Sequence, residues 1–280
     1  MNNLNLSKIE RDKIYNILIL PSITKGLDSH KNPAAHILGG QPATGKSHFI
    51  KKIIEQDKNT AIINGDDFRG YHPKYEYCLK YNEQEASDLI QKDINYWIEK
   101  AIIDISLKKY SMIVEGTLKN ANVPIKTAGI LKNVGYFVNL DVILASPEIS
   151  KVDMIKRYLL QKELIGFARF TKIEAQIETV SKIFSNILEV AKQKEVDCLR
   201  LFRREVDKYN LLYERNSEYD EVNLKMILEA EQKRELTAKE IEYVDNSWKY
   251  ITELLKEHKK YNEIEEYVRE IRNKEIKYQL

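Results

Sequence analysis

From Gly40 onward, the run Gly39-Gly40-Gln41-Pro42-Ala43-Thr44-Gly45-Lys46-Ser47 satisfies the phosphate-binding pattern G-x-x-x-x-G-K-[ST] without a mismatch. Ala34-Ala35-His36-Ile37-Leu38 before it reads as a short buried strand. Lys46 to Asp57 after it reads as a helix with Phe49, Ile50, Ile53 and Ile54 inward. Strand, loop and helix are the order in which backbone N–H groups and a helix N-terminus converge on phosphate oxygens. In that arrangement Lys46 reaches the β- and γ-phosphates and the Ser47 hydroxyl ligates Mg²⁺. The implied ligand is a nucleoside triphosphate, with ATP and Mg²⁺ as the expected cofactors.

Other chemistry-bearing residues recur at strand ends. Asn64-Gly65-Asp66-Asp67-Phe68-Arg69-Gly70-Tyr71-His72-Pro73 follows a second strand-like run, Ala61 to Asn64. In an open α/β sheet the ligand crevice lies beyond the carboxyl ends of the strands, which brings these aspartates near the loop. A phosphoryl acceptor needs a carboxylate to orient its hydroxyl and take the proton, so Asp66 and Asp67 are both base candidates. A helix N-cap is the structural alternative for either. Glu115-Gly116-Thr117 ends a third strand, where Glu115 could hold a metal-bound water or accept hydrogen bonds from a substrate. A helix N-cap is the structural alternative for Thr117. Arg157 and Arg169 fall after a fourth strand, where small-molecule kinases place the guanidinium groups that neutralise a migrating phosphoryl group. Glu99 reads by periodicity as a residue on a solvated helix face.

The elements that must position these groups alternate as a mostly parallel, doubly wound α/β sheet requires. About five strands are expected, at 34–38, 61–64, 112–115, 137–144 and 198–202, with helical segments near 83–107, 124–133 and 151–190. A first helix over 7–20 has Ile14, Ile17 and Leu18 as its inward stripe. Residues 1–205 form the expected core, and 206–280 a helical extension without a further strong strand. There, Thr237-Ala238-Lys239-Glu240 is a capping box before the stripe Ile241, Val244, Trp248, Ile251 and Leu255, and a second stripe runs Ile264, Val268, Ile271. These stripes pack on the core or meet a partner.

At 280 residues and 43% hydrophobic, the chain can fill a sizeable core. Its 45 basic and 43 acidic residues leave a net charge of +2, which makes no electrostatic case for nucleic acid or an anionic membrane surface. Cys78 and Cys198 are too few for a zinc framework. The first residues lack an apolar leader and no run of about 18 apolar residues occurs, so the expected location is cytoplasmic.

In this order and at these spacings, GGQPATGKS, NGDDFRGYHP, IVEGT, KRY and GFARFT resemble the zeta toxins, from about residue 34 to about 215. LRLFRREVDKYNLLYE late in the core adds to the likeness. The resemblance implies a P-loop kinase-like fold and an ATP-dependent kinase of the 3′-hydroxyl of UDP-N-acetylglucosamine, the toxin of a toxin–antitoxin pair. It makes Asp66 the catalytic base, Lys46 the phosphate ligand, Ser47 the magnesium ligand, and Arg157 and Arg169 the clamp on the transferring phosphate. It assigns Glu99, Glu115 and Thr117 to the sugar-nucleotide site and implies a small helical antitoxin over the ATP site. Two positions depart from the family pattern. Ala43 replaces a common glycine, which a φ below zero would tolerate. Lys119 replaces an arginine that contributes to substrate recognition, keeping charge but losing the planar fork. Two further readings fit the motifs: a kinase of another small alcohol such as an antibiotic or nucleoside, and a nucleotide-binding module without transfer activity.

Overall fold

The computed structural model describes residues 4–215, 220–257 and 262–280. The chain opens with α1 (Lys8–Ile14), a π-helical turn (Tyr15–Ile19) and α2 (Leu20–Thr24). The first strand and its neighbours follow as β1 (Ala34–Gly39), α3 (Lys46–Gln56), β2 (Thr60–Ile63), α4 (Gly65–Arg69), α5 (Tyr75–Tyr81), α6 (Ala86–Leu89) and α7 (Gln91–Leu107). Next come β3 (Ser111–Glu115), α8 (Asn122–Asn133), β4 (Phe137–Ala145), α9 (Pro147–Ile165), α10 (Ile173–Ala191), β5 (Cys198–Arg204) and β6 (Tyr209–Arg215). The tail is α11 (Glu221–Lys233), α12 (Ala238–Glu257) and α13 (Asn262–Asn273).

The sheet order is β2-β3-β1-β4-β5-β6, parallel except for β6. Because β1 connects leftward to β2 and every later parallel crossover moves rightward, right-handed connections put α3 on one face and the later crossover helices on the other. The core divides accordingly. Leu38, Ile113 and Ile143 meet Phe49 and Ile50 of α3, while Ile37, Val114, Leu140 and Leu201 share the larger core with Trp97, Leu131 and Phe184. As the helical periodicity of 46–57 predicts, Ile53 and Ile54 pack at the edge of the α3 cluster.

Three expectations are corrected. In the first helix Ile17 and Leu18 are exposed, and Tyr15 and Ile19 are fully buried instead. The π turn adds a residue to one turn, which rotates the buried face away from the 3.6-residue stripe. The sheet has a sixth strand within 206–280, β6, joined to β5 by a turn that Glu205 N–H closes on Lys208 O at 2.9 Å. Its sequence YNLLYER does not alternate cleanly, with Leu211 exposed and Tyr213 buried, and its pairing with β5 is irregular at Leu201 and Phe202, which fits an edge strand and leaves no period-2 pattern to read. The helical stretch 151–190 is two helices, because Gly166 at φ 80° caps α9 and leaves 166–172 as a loop.

In the tail, the Thr237 and Glu240 capping box forms, and α12 packs on α9. Val244, Trp248, Ile251 and Leu255 are buried, as are Val268 and Ile271, whereas Ile241 is exposed. The side chain of Ile264 lies outside the described residues. Both cysteines are buried thiols. No helix among the described residues is long and apolar enough to cross a membrane.

Candidate active site

The phosphate loop sits between β1 and α3 with a backbone only certain residues adopt. Gly40 has φ 152°, and a Cβ there would lie 2.6 Å from the Ile143 carbonyl oxygen. Ala43 has φ 59°, so the alanine is in the left-handed region and not at the negative φ that would tolerate it. This costs about 1–2 kcal/mol and explains why glycine suits the position.

Lys46 is buried, and its ammonium donates to the carbonyls of Gly40 (2.9 Å) and Gln41 (3.0 Å). Burial pushes its pKa down to about 8, with Glu115 pulling it up and Arg157 and Arg169 pulling it down. Burial raises the Glu115 carboxyl; Lys46 and Arg157 oppose that rise and Asp67 adds to it. These opposing influences place Lys46, Glu115, Asp67 and both arginines in one electrostatic neighbourhood. Ser47 is exposed in the first turn of α3.

Asp66 lies in the first turn of α4, whose N-cap is Asn64: the Asp66 N–H donates to Asn64 Oδ1 at 2.9 Å. The Asp66 carboxylate is half-exposed and pairs with Arg169 and, at 3.3 Å, with Arg69 Nε. Arg69 is itself fixed by Ser87 O (3.3 Å) and Gln91 Oε1 (3.0 Å). Arg157 reaches across the loop after α9 to Thr171 Oγ1 at 2.9 Å. Burial lowers the pKa of both guanidinium groups, that of Arg169 to about 10.

The loop carrying Arg169 is pinned by Glu83. One oxygen of Glu83 accepts from the Ala168 N–H at 2.7 Å, and the other from Tyr158 and Lys162, each at 2.5 Å. Phe170 packs between Tyr158 and Tyr267, with ring centroids 5.3 and 5.0 Å away. Across the sheet, Arg204 donates to Ala43 O (2.8 Å) and to Asp153 (2.6 Å), and Tyr209 donates to Gly45 O (2.8 Å). Sequence reasoning missed Arg69, Glu83, Arg204 and Tyr209 as site-building residues. Arg69 stands in the quoted Phe-Arg pair, and Arg204 and Tyr209 in the late-core run, so a signal existed for those three.

The remaining expected residues lie further out. Gly116 and Thr117 are exposed just past β3, with the Gly116 N–H donating to Leu38 O at 2.8 Å. Lys119 is exposed and paired with Glu178 of α10 at 2.6 Å. Glu99 is exposed on α7, as its helical periodicity predicts.

Four buried polar atoms of this neighbourhood find no protein partner: Thr44 Oγ1, Glu115 Oε2, Arg157 Nε and Arg169 Nε. Buried polar groups are ordinarily bonded, so two unmatched guanidinium donors and a hydroxyl beside an anion-binding loop fit a phosphate-bearing ligand. Fold and site together define a P-loop kinase-like protein. A family model described as zeta toxin matches residues 21–218, and the chain belongs to that family. The zeta toxin of Enterococcus hirae is 30% identical over 227 residues, 80% of this chain and 77% of that protein. Toxin PezT of Streptococcus pneumoniae serotype 4 is 38% identical over 144 residues, 50% of this chain. That match spans 55% of the length of PezT. The solved structure from the PezAT chromosomal toxin–antitoxin system of S. pneumoniae has a TM-score of 0.75 at 24% identity, covering 90% of this chain and 99% of that one. The AvrRxo1-ORF1:AvrRxo1-ORF2 complex with ATP has a TM-score of 0.56 at 18% identity, covering 85% of this chain and 77% of that one.

Proposed function

We propose that this protein is an ATP-dependent kinase that phosphorylates the 3′-hydroxyl of UDP-N-acetylglucosamine, and that it is the toxin of a toxin–antitoxin pair. The observation that carries the reading is the convergence of the Lys46 loop, the Asp66 carboxylate and two half-buried arginines whose Nε donors are buried and unmatched. Binding alone needs neither a positioned base nor a two-arginine clamp.

In this reading, Lys46 and the loop amides hold the β- and γ-phosphates. The Ser47 hydroxyl would help to hold magnesium, which would supply further charge neutralisation there. The acceptor hydroxyl attacks the γ-phosphorus, its proton passes to Asp66, and the bond to the β,γ-bridging oxygen breaks as ADP leaves. Arg157 and Arg169 stabilise the charge on the migrating group. Arg169 rests on Asp66 in this structure, so transfer of its guanidinium to an arriving phosphate would free the base. Glu115, Thr117, Lys119 and Glu99 face the sugar nucleotide. The family and the PezAT likeness support an antitoxin partner; in this reading it is a small helical protein that covers the ATP site.

A kinase of another small alcohol is the second reading, favoured by the engagement of Lys119 with Glu178. The deciding experiment incubates the protein with ATP, Mg²⁺ and UDP-N-acetylglucosamine, UDP-glucose or unrelated alcohols, with products read by mass spectrometry. Phosphorylation of UDP-N-acetylglucosamine above UDP-glucose supports the first reading. Brisk transfer only to an unrelated alcohol selects the second.

A further inference from the structure

Segment 274–280 runs from the tail helices back to the phosphate loop. The carbonyl of Lys274 accepts from the buried Lys151 ammonium of α9 at 2.9 Å. The carbonyl of Tyr278 accepts from Gln232 of α11 at 3.0 Å. The Tyr278 ring stacks on Phe184 of α10, with centroids 4.4 Å apart and planes 13° from parallel. Its hydroxyl thereby reaches Ala145, where β4 ends, and Gln41 of the loop, a residue 237 positions away in sequence.

Gln41 is fully buried, and its amide nitrogen has two hydrogens to place. One goes to Ala145 O at 2.6 Å and the other to the Tyr278 hydroxyl oxygen at 2.9 Å. The hydroxyl proton goes to the same Ala145 carbonyl, so every donor in the triangle is matched. The backbone carbonyl of Gln41 in turn accepts from the Lys46 ammonium. Arg204 and Tyr209 hold the loop at Ala43 and Gly45 only; the side chain of Gln41 is held by Ala145 and Tyr278.

The geometry points to Tyr278 as a positioning residue of the phosphate loop: its hydroxyl fixes the Gln41 side chain and, through the Gln41 carbonyl, the Lys46 ammonium where a triphosphate requires it. The assignment rests on the reading of the loop as an ATP site. A loop held in its binding geometry before the ligand arrives loses less freedom on binding. Phenylalanine at 278 keeps the ring and its stack on Phe184 but leaves one hydrogen of a buried amide unmatched. That penalty is relieved only if the loop moves.

The test measures Mg²⁺·ATP affinity by calorimetry, together with KM and kcat for ATP turnover, in the wild type, Tyr278→Phe, Gln41→Met and the double variant. Tyr278→Phe should weaken ATP binding and raise KM by roughly tenfold while kcat at saturating ATP stays within about twofold, a split that general loss of packing would not produce. The double variant should be no weaker than the worse single one, because both break one contact. Wild-type affinity in Tyr278→Phe, or effects that simply add, overturns the assignment. Gln41→Met breaks the contact from the other end with segment 274–280 intact, so wild-type affinity there overturns it even if Tyr278→Phe does not fold. Failure of the wild type to bind ATP removes the reading of the loop and this assignment together.

Discussion

Lys46 should make ATP affinity depend on pH in a way that follows from its burial. Its ammonium faces the carbonyls of Gly40 and Gln41, and its pKa is down at about 8. A triphosphate brings anionic oxygens against the same group and raises its pKa on binding. Above pH 8 the free protein has lost this proton and must regain it to bind, so affinity falls as pH rises. The protonated fraction drops from about 0.9 at pH 7 to about 0.1 at pH 9, which weakens binding about tenfold, or about 1.4 kcal/mol. Calorimetry with saturating Mg²⁺ in two buffers of different ionisation enthalpy counts the protons directly. Uptake should be near zero at pH 7 and about 0.9 per ATP at pH 9. Lys46→Arg, which keeps its charge, should abolish the uptake. Constant affinity with no proton uptake at pH 9 would refute the reasoning. The same depressed value bears on folding. The unfolded lysine titrates near its ordinary 10.5, so between pH 8 and 10.5 the unfolded state binds more protons and stability rises with pH. The burden is complete below pH 8, at about 3 kcal/mol, and gone above 10.5. Lys46→Met should therefore be more stable than the wild type at pH 7, by an amount that shrinks toward pH 10.

Asp66→Asn should lower turnover by about 10² or more with ATP affinity nearly unchanged, and Asp67→Asn should do much less; the reverse order would move the base one residue along. Gly40→Ala places a methyl carbon 2.6 Å from the Ile143 carbonyl, so both ATP binding and several degrees of Tm should be lost, and retention of wild-type binding in a titration would contradict the observed loop. Glu115→Gln removes the carboxylate that pulls the Lys46 pKa up, so the midpoint of the affinity profile should move below pH 8. A midpoint that stays put would separate the two side chains electrostatically.

The residues legible in the sequence share one property: their signals are local. The Gly40 to Ser47 pattern works through its own backbone, and Asp66 and Glu115 stand at the ends of strands that a parallel sheet must bring to one edge. Lys119 and Glu99, assigned by resemblance alone, lie exposed on the surface, Lys119 paired with Glu178. The π turn was not legible because an inserted residue shifts a helical stripe without changing its composition, and β6 was hidden because its apolar residues, Leu211-Leu212-Tyr213, run together without the alternation of a half-buried strand. Neither were the residues that hold the site in place. Glu83 pins Ala168 from 85 positions away, Arg204 pins Ala43 from 161, and Tyr278 pins Gln41 from 237. Each such contact pairs an ordinary polar residue with a backbone carbonyl, a backbone N–H or an amide; even where one partner lies in a quoted run, as Arg204, Ala43 and Gln41 do, neither sequence names the other partner. Motif reading therefore finds the groups that face a ligand, which chemistry constrains by type and spacing. The groups that hold them depend only on reach. A substitution at Glu83, Arg204 or Tyr278 should accordingly disturb a site whose motifs remain intact.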